Sequence, residues 1–119
     1  MKRLIAHSAL ALCLSPLAVH AGSAHPQAER NYDTYCVQCH GVHRNGKGIN
    51  AAHMSVQPRD HTDSKAMSDV PDDEMFKAIK EGGLAVNKSI LMPVWGKVLS
   101  DAEIHELVAY LRETCKCGK

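Results

Sequence analysis

The chain has 119 residues, a formal net charge of +1 and only 4% aromatic residues. That length suits one small domain with a modest core, a size class that commonly needs a covalent or metal staple. The near-balanced charge leaves no electrostatic footprint for nucleic acid.

Lys2 and Arg3 precede an apolar run from Leu4 to Val19, and Val19-His20-Ala21 leads into Gly22-Ser23-Ala24. A basic start, an apolar stretch and small residues at the end form the pattern of a secretory signal. Residues 1–21 are expected to be cleaved, after Ala21 in preference to Ala24, leaving 22–119 as one domain. The run is 16 residues long and holds His7 and Pro16, with no stop-transfer charge behind it. It suits an uncleaved anchor poorly, and the mature chain is expected to have no membrane span. Cys13 follows Leu12, where a lipidation site would need a small residue. Loss of Lys2 and Arg3 takes the formal charge from +1 to −1. The mature chain is then mildly acidic, without a strongly basic docking face.

Pro26 suits the first turn of a helix. Ala28, Tyr32, Tyr35, Cys36 and Cys39 follow at helical spacing, which predicts a first helix over 26–37. It delivers Cys36-Val-Gln-Cys39-His40. Cys-x-x-Cys-His is the attachment signature of a c-type haem. Cysteines three apart share one face of a helical turn. There, two thioethers reach the vinyl groups on one porphyrin edge, and the histidine that follows is carried under the iron. A thioredoxin-like redox pair would need a strand and a βαβ context, and none is visible. A zinc site would need a second pair, for which Cys115 and Cys117 are poorly spaced. One covalent haem c is therefore the expected cofactor. It would also staple the core and replace missing aromatics.

Gly41 to Gly48 resembles a phosphate-binding loop, but it lacks the final Ser or Thr and a preceding strand. It is expected to lie against the haem edge, where side chains would clash. Residues 49–69 read as irregular, with a short helix over 63–68 and a turn at Gln57-Pro58-Arg59-Asp60. Arg59 is either solvated or a donor to a haem propionate. Pro71 followed by Asp72, Asp73 and Glu74 predicts a helix over 71–81, ended by Gly82-Gly83.

Ile90-Leu91-Met92-Pro93-Val94-Trp95-Gly96 is the second informative stretch. Pro93 fixes φ and stiffens a loop that holds Met92. Met92 lies 52 residues beyond His40 and just before the last helix, which makes it the candidate second iron ligand. Ser100 with Glu103 forms a capping box. Ile104, Leu107, Val108 and Leu111 then mark an amphipathic helix over 101–114. No strand, repeat or second domain is visible.

Together these motifs resemble class I c-type cytochromes of the small bacterial c-551/c6-like branch. The matching stretches are Cys36 to Gly41, the glycine loop, Met92-Pro-Val-Trp-Gly96, Leu99 to Ile104, and Tyr110-Leu111. The resemblance implies a small all-α cytochrome c fold, with three main helices and loops wrapped around one covalent haem. It implies Cys36 and Cys39 as thioether sites, and His40 and Met92 as axial ligands. Trp95, like Arg59, is a candidate contact at the haem edge. In the family a proline soon after the glycine loop offers the carbonyl that orients the histidine; here Ala51-Ala52-His53 stands in its place.

The function implied is a single-electron carrier of the periplasm, not an enzyme, meeting redox partner proteins of a respiratory chain as a monomer or in transient complexes. A second reading is an electron-transfer subunit of a periplasmic oxidoreductase, of the nitrogen-oxide or sulfur-oxyanion kind. A third is a ligand-binding or peroxidase-like haem protein, with His43, His53 or His61 on the Met92 side of the iron. Cys115 and Cys117 are expected to be exposed, bridged to one another in an oxidising compartment, and away from the haem.

Overall fold

The computed structural model describes residues 22–118. The expected signal segment, 1–21, lies outside the described residues. Those described form five α-helices and two 3₁₀ turns, with no strand among them, so the fold is all-α.

Helix α1, Pro26–Tyr35, starts on its proline, where the missing N–H removes only a group that would lack a partner anyway. Its buried face carries Ala28 and Tyr32. Helix α2, Val37–His40, follows at once. The single helix expected over 26–37 is therefore two, hinged at Cys36. The Cys36 N–H still donates to the Tyr32 carbonyl at 2.8 Å, and the Cys36 carbonyl accepts from His40 N–H at 2.9 Å. With φ −109° and ψ −30° at Cys36, the backbone departs from helical φ and changes direction there.

Helix α3, Ser64–Ser68, is capped by the Asp63 carboxylate, which accepts from Ala66 N–H. Helix α4 is Asp72–Glu81. Pro71 sits one place earlier than expected, as the N-cap in extended conformation, leaving the three acids in the first turn. Helix α5, Asp101–Cys115, begins with both halves of the capping box. The Ser100 backbone N–H holds the Glu103 carboxyl below its ordinary range.

Helix α5 packs on both α1 and α4. These are the three main helices, and Ile104 and Leu107 at their contact are fully buried with Tyr32 and Met67. The chain end differs from expectation. Cys115 and Cys117 are disulfide-bonded, but Cys115 is 2% exposed and belongs to the core. It follows Leu107 and Leu111 at i+8 and i+4, so the buried stripe of α5 carries it inward. Arg112, in the same turn, donates to the carbonyls of Met67 at 2.8 Å and Val70 at 2.5 Å and pairs with Asp72 at 2.6 Å. That guanidinium clamps the end of α5 to the segment between α3 and α4.

Candidate haem site

The three main helices and the loops between them enclose a cavity of about 480 Å³ with mostly apolar walls, within the size range of cofactor sites. Cys36, Cys39 and His40 line it. So do Met92, Pro93 and Trp95 from the loop before α5, with Leu107 and Leu111 from α5 itself. Arg59 lines it as well. The six residues singled out from sequence thus meet at one cavity, although Met92 and His40 are far apart in the chain.

His40 is held from two directions. Its Nδ1 lies 3.1 Å from the Arg59 carbonyl oxygen. A carbonyl only accepts, so Nδ1 carries the proton and Nε2 keeps its lone pair. The orienting carbonyl therefore comes from Arg59, after Pro58, and not from Ala51-Ala52-His53. Sequence reasoning missed it because a carbonyl carries no residue signature; a proline at 58 was the available signal. The Arg59 guanidinium is half-buried, with Nη1 3.5 Å from the Ala66 carbonyl. On its face, the His40 ring stacks on His61 at 4.3 Å between centroids and 16° between planes. Burial lowers the pKa of both imidazoles below the ordinary value, and His61 well below it. Burial also pushes the Cys36 thiol up to about 12, with Cys39 the next cause.

The glycine loop is not where expected. None of Gly41 to Gly48 lines the cavity. The loop packs behind the attachment motif: a Cβ at Gly48 would strike the carbonyls of Gln38 and Cys39, and the Gly48 N–H donates to Cys39 O at 3.0 Å. Glycine is required by this backbone-to-backbone approach. Within the loop, Arg44 reaches out as a cross-brace. Its guanidinium donates to Tyr110 Oη at 2.7 Å and to Asp33 at 2.7 Å, lying 5.0 Å from the Tyr32 ring centroid. It also donates to the Val42 carbonyl, and its own carbonyl accepts from His61 N–H at 2.7 Å.

The Met92 loop is held mainly by its backbone. Met92 O accepts from Gly83 N–H at 3.1 Å, and Met92 N–H donates to Ser89 O at 3.2 Å. Trp95 and Gly96 donate to Ile79 O and Lys80 O at 3.1 and 3.0 Å. Those are carbonyls of the last turn of α4, which lack helical partners and are satisfied here by the loop. Gly82, at φ +85°, makes the turn out of α4 that permits this return. The Trp95 ring packs on Tyr35 of α1 at 5.2 Å.

His43 and His53 are exposed and line no part of the cavity. His61 does line it, but stacked on His40 rather than on the Met92 side.

A family model described as cytochrome c oxidase, cbb3-type, subunit III matches residues 23–111. The chain belongs to that family. As a member it is a c-type cytochrome, carries covalently bound haem c, and transfers electrons through it. A search of curated proteins finds no match to the chain. Among the described residues no helix is long and apolar enough to cross a membrane.

Proposed function

We propose that this cytochrome is a single-electron carrier of the periplasm, holding one haem through Cys36 and Cys39 with His40 and Met92 as axial ligands. The carrying observation is that these four side chains line one cavity, with His40 Nε2 left as a lone-pair donor by the Nδ1 bond to Arg59. The haem supplies reversible one-electron chemistry at iron. The chain's residues orient it and exclude water. Cys36 and Cys39 fix its edge beside α1. Met92, which lines the same cavity, would offer its thioether as the second iron ligand, and a closed ligand set would suit outer-sphere transfer because no ligand need change. Arg59 and Trp95 are the proposed contacts at the rim. We read the protein as a carrier and not a catalyst, since one-electron transfer at a haem needs no acid or base from the chain. The apolar run from Leu4 to Val19 after Lys2 and Arg3 supports export, and haem attachment to this motif normally occurs outside the cytoplasm.

A second reading is favoured by the matched family's description as an oxidase subunit: the chain then passes electrons from within a larger complex. Purification separates the two, because a carrier elutes alone while a subunit keeps its partners. The function itself is tested by intact mass and a redox titration. The wild type is expected to carry the mass of one haem and to titrate reversibly with one electron. Replacing both Cys36 and Cys39 by Ala removes the covalent mass. A haem-loaded wild type that shows no reversible couple, or a double variant that keeps covalent haem, contradicts the proposal.

A further inference from the structure

His61 is 8% exposed, one of two buried polar residues in the described core. Nothing in the attachment chemistry calls for it. Filling space alone would not require a second imidazole, since an apolar ring would serve. Three contacts fix it. Its ring stacks on His40. Its Nδ1 lies 3.0 Å from the Tyr32 hydroxyl. Its backbone N–H donates to the Arg44 carbonyl, and Arg44 is itself braced against Asp33, Tyr110 and the Tyr32 ring.

The two holds on His40 do different things. The Arg59 carbonyl anchors one atom, Nδ1. A single hydrogen bond resists translation but leaves the ring free to tilt about the donor atom. A parallel ring at 4.3 Å, in a close-packed interior, blocks the tilt. The blocking ring is useful only if it cannot turn, and the Tyr32 hydroxyl supplies that tether from the buried face of α1. Tyr32 is 1% exposed, and it packs against Tyr110 of α5 at 5.7 Å, so the tether stands on the contact between two main helices.

We infer that His61, tethered by Tyr32, is a positioning residue that sets the plane of the His40 ring at the haem iron. This rests on the reading of His40 as an axial ligand. The plane of an axial imidazole decides how its π orbital overlaps the iron d orbitals, and so how unpaired spin spreads over the porphyrin of the ferric protein. The spread and order of the haem methyl resonances in the proton spectrum report it directly.

The experiment compares ferric wild type, H61L and Y32F, each loaded with haem. His61→Leu removes the stacked ring and is expected to change the order or the spread of the methyl resonances. Tyr32→Phe leaves every ring in place, removes only the tether, and is expected to produce a smaller change in the same sense. A methyl pattern matching wild type in H61L overturns the inference, even if its melting temperature falls, because His61 would then only fill space. If H61L does not load haem, Y32F decides: a changed pattern supports the tether, and a wild-type pattern overturns it. The weak far-red absorption of a methionine–iron bond is recorded on the same samples. Its presence in wild type with unchanged methyl patterns in the variants is failure of this inference alone. Its absence from wild type is failure of the Met92 ligation proposed above, and the methyl patterns then judge this inference by themselves.

Discussion

The two walls of the cavity are built differently. The His40 wall is a lattice of buried and half-buried, mutually braced groups: a carbonyl on Nδ1, a ring on the imidazole face, a hydroxyl on that ring, and a guanidinium behind it. The Met92 wall is one loop, held by backbone hydrogen bonds to the end of α4 and to its own turn. Around Met92, Leu84, Ile90 and Val94, which do not line the cavity, stay 47–72% exposed. A wall of buried contacts opens at a cost near that of unfolding the domain, whereas an exposed loop opens locally. The His40 side is thus held by side chains from several elements, and the Met92 side by one loop whose Met92 and Trp95 alone pack against the core.

Breaking the His40 wall should cost the most. Arg44→Ala removes hydrogen bonds to Tyr110, Asp33 and Val42 at once, all made by a side chain only 16% exposed. Charged hydrogen bonds of this kind contribute about 1.5–3 kcal/mol each, and they are not additive. A loss of about 2–4 kcal/mol in denaturant unfolding is expected on this basis. A change under about 0.5 kcal/mol, the size of an ordinary surface substitution, would show that the brace is ornamental.

The Cys115–Cys117 bridge lies outside both walls, since neither cysteine lines the cavity. It serves as the control for the comparison. Changing both to Ser should destabilise by about 1–2 kcal/mol, the scale of a very short closed loop, with the haem spectrum unaltered. Alkylation of the native chain without reductant should add no label to this pair in the intact mass. Two added groups mean free thiols, and a doubled mass means a bridge between chains. A changed spectrum in the Ser variant places the tail nearer the iron than the cavity lining does.

The same contrast explains what the sequence revealed. Helix bounds were legible where a local code sets them, as with the Ser100–Glu103 box, the acids after Pro71, and Gly82. The attachment pentapeptide and Met92-Pro93 were legible because their chemistry is concentrated in adjacent residues. The missed features come from distant parts of the chain. Arg44 and Tyr110 meet 66 residues apart, and Tyr32 and His61 meet 29 apart. The Arg59 contact uses a backbone atom that every residue possesses. The glycine loop was misplaced because glycine marks close approach without saying what approaches; here it is the Gln38 and Cys39 backbone. Cys115 stands next to the chain end, yet its spacing from Leu107 and Leu111 puts it on the buried stripe.

The most direct measurement is the far-red absorption of ferric Met92→Ala beside wild type, with the covalent haem mass checked on both. Because the Met92 side chain is only partly buried and the loop's backbone hydrogen bonds do not depend on it, the variant is expected to keep its fold and its covalent haem. It should lose the methionine–iron band expected of the wild type and show a lower reduction potential, since a thioether ligand raises the potential. A wild type without the band, or a variant that keeps it, contradicts the account. So does a variant that loses its helical fold along with the band.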